Sequence, residues 1–142
     1  MTRVLADTGP LVALINRRDR HHAWAREVFA TVDPPVYTCE AVVSEACFLL
    51  GRANGGARAM LDLVSHGIVN ADFRLTPEID AVITLMQKFS SIPMSFADAC
   101  LVRMTELDAD SVVVTIDGDF RVYRRNRRHV IPTIMPARSR RP

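Results

Sequence analysis

The chain has 142 residues, 18 basic and 16 acidic, for a formal charge of +2, and 49% of them are hydrophobic. That apolar content at so small a charge excludes a disordered chain, and the scattered Gly and Pro exclude a fibrous one; the length suits one domain that buries its own core. The sum hides a split: residues 1–120 hold ten basic residues against all sixteen acids, net −6, whereas residues 121–142 hold eight Arg and no acid, net +8. An acidic body with a basic end is expected, with one domain over residues 1–136 and a disordered Arg-rich tail over 137–142.

The first expected element is a buried strand, Val4–Ala6, ended by Asp-Thr-Gly-Pro, with a short helix restarting at Pro10 and running through Leu11–Ile15. Arg17–Arg20 is a loop. His22–Val32 is a helix stopped by Pro34-Pro35, and Val36–Thr38 a second strand. Cys39–Gly51 is a strong helix, paired with a second helix over Gly55–His66. Ile68–Leu75 alternates like a strand. Thr76 should cap a helix begun by Pro77 and ending near Phe89, and Ser95 should cap another from Phe96 to about Leu107. Ser111–Ile116 is rich in Val and reads as a buried strand, Asp117-Gly118-Asp119 as a turn, and Val130–Ile134 as a last strand that Pro132 puts at an edge. Alternating strands and helices favour a parallel sheet covered on both faces. Trp24, Phe29, Met60 and Leu61 are expected mainly in the core. Cys39, Cys47 and Cys100 form no CxxC and no even framework, which suits free thiols in a reducing compartment. Asp7 interrupts any signal-like start, and no apolar run is long enough for a bilayer, so the protein is expected to be cytoplasmic.

The acids carry the chemistry. In an open parallel sheet ligands bind beyond the carboxyl ends of the strands. Asp7 follows the first strand, and Asp117 with Asp119 follows the Val-rich one. Asp98 falls in a helical sector with Leu101, Val102 and Thr105, while Arg103 and Glu106 lie to one side. Glu45 lies between Phe48 and Leu49 with Val42 one turn back, an apolar setting that is costly for an unpaired acid. Each acid has a plainer explanation, as a helix cap, a dipole partner or a turn residue. Together they place like charges on one spot, which is tolerable if cations sit between them. Carboxylates without Cys, and without His at ligand spacing, suit Mg²⁺ or Mn²⁺.

With these residues in place, the chain resembles the PIN-domain nucleases, and within them the VapC-type toxins of VapBC toxin–antitoxin pairs. The resemblance rests on Val-Leu-Ala-Asp7-Thr8-Gly9, on Ser44-Glu45, on Phe96-Ala97-Asp98-Ala99, and on Thr115-Ile116-Asp117-Gly118-Asp119-Phe120. It spans residues 4 to about 134; the stretch before Glu45 is only loosely similar, so that position rests on helix phase more than on motif. The resemblance implies a PIN-like α/β fold with a central parallel β-sheet flanked by helices on both faces. It implies an Mg²⁺ or Mn²⁺ site at Asp7, Glu45, Asp98 and Asp117, with Asp119 a less constant ligand and Thr115 a supporting hydroxyl. The implied activity is endoribonuclease cleavage by metal-activated water, leaving 5′-phosphate and 3′-hydroxyl ends. The implied partners are an RNA substrate, a cognate antitoxin and a second copy of the chain in a homodimer, with no membrane.

Arg121, Arg124, Arg125, Arg127 and Arg128 follow the acidic turn and could track RNA phosphates, with Phe120 and Tyr123 interleaved to stack a base. Arg138–Arg141 reads as a nonspecific electrostatic tail. His21, His22, His66 and His129 lie outside the motifs and read as surface residues. The alternatives are a Toprim-like or other PIN-like nucleic-acid-processing nuclease outside a toxin system, and a non-catalytic PIN scaffold that binds RNA or a partner. Toprim sites place their Glu after the first strand, where this chain has Asp7. A degenerate scaffold should have lost one of the four acids, and all four are present.

Overall fold

The computed structural model describes residues 1–52 and 55–137. The chain runs β1 (Arg3–Ala6), α1 (Thr8–Ile15), α2 (His22–Ala30), β2 (Val36–Tyr37), α3 (Glu40–Leu50), α4 (Gly56–Ser65), β3 (Val69–Asn70), α5 (Ile79–Lys88), α6 (Phe96–Leu107), β4 (Ser111–Val114), β5 (Arg124–Arg125), β6 (His129–Val130) and β7 (Thr133–Ile134). The central sheet is entirely parallel, in the order β3-β2-β1-β4-β7. β1 and β4 lie at its centre, paired from Arg3 with Ser111 to Ala6 with Val114. Their Leu5, Val113 and Val114 are fully buried, which is why this Val-rich stretch forms a strand with no polar face.

From β1 the chain steps outward to β2 and β3 through α1–α4, then crosses back to β4 through α5 and α6. Right-handed crossovers in opposite directions put the two helix groups on opposite faces. Leu11, Val42 and Met60 seal one group to the core, and Val82, Leu101 and Val102 the other. The expected covered parallel sheet is therefore present. No described helix is long and apolar enough to cross a membrane.

Several local expectations change. α1 starts at Thr8, not Pro10, because Asp7 caps it and the third helical position needs no N–H for the helix ladder. Ile68–Leu75 shrinks to β3, since the Asn70 side chain accepts the Asp72 N–H and turns the chain away. Thr76 caps nothing; Thr76–Glu78 is a tight 3-10 turn ahead of α5. Val130–Ile134 is split at Pro132 into β6, which pairs antiparallel with β5, and β7, which joins the edge of the main sheet beside β4. Met60 is fully buried and Phe29 packs partly on the core, but Leu61 is half exposed and Trp24 only partly covered. Of the expected tail over 137–142, Ala137 is exposed and residues 138–142 lie outside the described residues.

Candidate active site

All strands of the main sheet point the same way, so the residues after β1 and β4 emerge side by side. Asp7 is held from three directions. Its N–H donates to the Val114 carbonyl at 3.0 Å, its Oδ1 accepts the Thr8 N–H at 2.8 Å, and its Oδ2 accepts the Thr115 hydroxyl at 2.8 Å. Asp7 does cap α1, and the cap accounts for only one of its two oxygens. Thr115 Oγ1 in turn accepts the Asp117 N–H at 3.0 Å, and Asp117 Oδ1 accepts the Asp119 N–H at 2.9 Å as the chain enters a 3-10 turn over Gly118–Arg121. One hydroxyl therefore ties the end of β1 to the acidic turn after β4.

Two further acids come from helices. Ser95 caps α6 by accepting the Asp98 N–H at 3.1 Å, as its position predicts. Asp98 is buried, and its Oδ2 accepts the Tyr123 hydroxyl at 2.8 Å. Glu45 on α3 reaches the site from the outside: its Oε2 accepts the Thr8 hydroxyl at 3.3 Å. The apolar sector around Glu45 does not face the core. Glu45 is exposed, and Phe48 and Leu49 beside it are 83% and 56% exposed. Helix phase misjudges which face of α3 is covered; the structure puts Glu45 at the exposed edge, in contact with Thr8.

The electrostatics link the acids. Burial pushes the Asp7 carboxyl up to about 6, against the hydrogen bonds from Thr115 and Thr8, and repulsion from Asp98 and Asp117 adds to the rise. Burial likewise pushes Asp98 up, against the Tyr123 hydrogen bond, and the Asp117 charge adds to it. Asp7, Asp98 and Asp117 thus feel one another. Among the described residues, no three His, Cys, Asp or Glu side chains stand close enough to grip one ion as they are. Like charges with nothing between them hold apart, and an ion would have to draw them in. The donors offered are all carboxylate oxygens, which fits a hard divalent cation and excludes a tetrahedral thiolate site.

The other expected features fall into two groups. Arg121, Arg127 and Arg128 are exposed, but Arg124 and Arg125 are partly buried. Arg124 folds back on the carbonyls of Arg121, Val122 and Tyr123, and Arg125 donates to the Thr105 carbonyl. The base-stacking assignment of Phe120 and Tyr123 is overturned. Both are fully buried, packed edge-on against each other, because they fill the space under the turn. His22 is not a free surface residue: its Nδ1 lies 2.7 Å from the Ala13 carbonyl. Cys39 and Cys100 are buried free thiols, and the neighbouring Cys39 together with burial pushes the Cys100 thiol up. The Tyr123–Asp98 bond carries no signal in the sequence, whereas Thr8 is visible within the Asp-Thr-Gly element.

The model of the PIN domain family matches residues 4–126. The chain belongs to the PIN domain family. This PIN domain shares its fold with VapC20 of Mycobacterium tuberculosis, a sarcin-ricin loop cleaving toxin, at 22% identity and a TM-score of 0.75, over 84% of this chain and 93% of that one. No curated protein matches this chain in sequence.

Proposed function

We propose that this PIN domain is a VapC-type toxin, an endoribonuclease dependent on Mg²⁺ or Mn²⁺, held in check by a cognate antitoxin and acting as a cytoplasmic homodimer. The observation that carries the reading is Asp7. Its carboxylate is buried at the carboxyl ends of two paired central strands, its two oxygens are engaged by Thr8 and Thr115, and two further carboxylates press on it electrostatically. A fold gains nothing in stability from that arrangement, since desolvated like charges oppose folding.

Asp7, Asp98 and Asp117 would hold the cation, with Glu45 on the exposed wall and Asp119 a weaker contributor. A divalent ion bound there supplies positive charge against phosphate oxygens and lowers the pKa of bound water. The protein's own groups do the placing. Thr115 fixes the Asp7 carboxylate and the acidic turn with one hydroxyl, and Thr8 orients Glu45 toward the same spot. The exposed Arg121, Arg127 and Arg128, on the segment that leaves the site, suit the phosphates of a single strand. Arg124 and Arg125, bound to carbonyls, stand behind them on the same segment. RNA hydrolysis to 5′-phosphate and 3′-hydroxyl ends follows from this reading. Because the VapC20 toxin cleaves the sarcin-ricin loop, that ribosomal element is the first substrate to test.

The test is to sequence RNA 5′ ends after brief induction in a host without the antitoxin. New cut sites with wild type, absent with Asp7→Ala, are expected. No new sites, or the same sites with Asp7→Ala, would remove the ribonuclease assignment. The same set in an RNA-binding assay separates the scaffold alternative, which would bind RNA and cut none.

A further inference from the structure

Tyr123 is the one fully buried side chain in the basic segment after the acidic turn whose polar atom reaches the site. Its ring is clamped edge-on by Phe120 and Phe89, with centroids 5.2 Å and 5.4 Å away. Its N–H donates to the Asp119 carbonyl at 3.0 Å, and its own carbonyl accepts the Arg124 guanidinium at 2.9 Å. The ring cannot swing, so the hydroxyl has a fixed address, Asp98 Oδ2. At 2.8 Å from a carboxylate oxygen, that hydroxyl is the donor of the pair.

Asp98 is the third residue of α6, and its own N–H donates to the capping Ser95 hydroxyl at 3.1 Å, so its backbone is fixed in the helix terminus. Its carboxylate is held from elsewhere in the chain: Tyr123, 25 residues further along, donates to Oδ2 at 2.8 Å. We propose that Tyr123 is a positioning residue which holds the Asp98 carboxylate toward Asp7 and Asp117, so that the three acids can share one divalent cation. The proposal rests on the metal-site reading above and adds to it the residue that orients the Asp98 carboxylate.

The experiment titrates Mn²⁺ into the whole chain, without RNA, and follows free Mn²⁺ by electron paramagnetic resonance for wild type, Tyr123→Phe, Asp98→Asn and the double variant. Groups that orient a metal ligand commonly change affinity by about 10- to 100-fold, and Tyr123→Phe should fall in that range. Asp98→Asn should weaken binding further, and the double variant should be no weaker than Asp98→Asn alone. Wild type that binds Mn²⁺ with Tyr123→Phe binding equally well would overturn the positioning role and leave the metal site standing. Additive losses in the double variant would overturn it too, since the hydroxyl would then act other than through Asp98. Wild type that binds no Mn²⁺ would overturn the metal site and the proposal with it. A second measurement does not depend on Tyr123→Phe folding. In Tyr37→Phe protein the remaining tyrosine should show an ultraviolet difference band when Mn²⁺ is added, lost with Asp98→Asn; no band in protein that binds Mn²⁺ counts against the proposal.

Discussion

Replacing Asp7 with Asn should abolish activity and, without metal, make the protein more stable at neutral pH. The Asp7 carboxyl sits at about 6 in the fold against 3.8 in the unfolded chain, with burial the leading cause. A raised carboxyl pKa means that the folded state holds the proton more tightly. Below pH 3.8 both states are protonated and Asp7 costs the fold nothing; as the pH climbs to about 6 the cost grows, and above that it is constant. A difference of 2.2 pH units (6 minus 3.8) corresponds to about 3 kcal/mol at neutral pH, and about 1 kcal/mol near pH 4.5. Asn removes this cost but brings an amide N–H₂ where Oδ2 accepted the Thr115 hydroxyl. That hydroxyl already accepts the Asp117 N–H, so it must turn and leave its own proton unpaired, a loss of about 1 kcal/mol.

The net gain for Asp7→Asn is therefore about 2 kcal/mol near pH 7.5, roughly 6 °C in Tm for a chain of this length, and about zero near pH 4.5. The assay is thermal unfolding of both proteins in EDTA across that range. Excess Mn²⁺ should reverse the order, because binding to the native state stabilises wild type by about 2.7 kcal/mol at a hundred times Kd and should do little for the variant. Asp7→Asn protein that is less stable than wild type near pH 7.5 in EDTA, or a difference that does not change with pH, would refute the account of Asp7 as an acid buried against the interest of the fold.

Thr115→Val keeps the shape but leaves Asp7 Oδ2 and the Asp117 N–H without their partner; a loss of about 1–3 kcal/mol is expected in urea unfolding, and the pH profile of cleavage should move to higher pH as Asp7 rises further. Glu45→Gln, at an exposed position, should change stability by less than about 0.5 kcal/mol while cleavage of a sarcin-ricin oligonucleotide falls sharply; unchanged cleavage would remove Glu45 from the site. Alanine at Arg121, Arg127 and Arg128 should weaken RNA binding, with Tm unchanged; the slope of log affinity against log salt should fall by about 0.7 for each phosphate no longer neutralised. Alanine at Arg124 should lower Tm as well, because its guanidinium ties three carbonyls together.

The parts legible in the sequence are those where a local rule and the global fold agree. Ser111–Val114 is a strand because β-branched residues pack on both faces of a central position, and Ser95 caps α6 because its hydroxyl has an N–H to accept three residues on. Asp7 and Asp117 are legible from their places at the ends of strands. Burial across elements is not. The periodicity of α3 shows a stripe with Val42, Ala46 and Leu50 buried, but Phe48 and Leu49 widen the apolar surface beyond what the monomer covers, and no local pattern says where the cover stops. Tyr123 is illegible for the same reason. An aromatic among arginines reads as a surface stacker until the fold puts Phe89 and Phe120 around it.

Those two departures from the sequence pattern bear on the function from opposite sides. The uncovered apolar face of α3 lies on the same helix as Glu45, so whatever covers Phe48 and Leu49 approaches the one site acid on a helix that is open to solvent. The covered ring of Tyr123 works the other way, carrying the basic segment's position inward to the most enclosed helical acid, Asp98. The site therefore has one wall open to solvent, at Glu45, and one wall set by the basic segment, through Tyr123. The formal charge of +2 is the residue of that division. Five of the sixteen acids belong to the candidate site, where a cation can offset them, while Arg3, Arg58 and Arg103 pair with acids elsewhere in the body, so the basic segment after the acidic turn is not used up in neutralising that body.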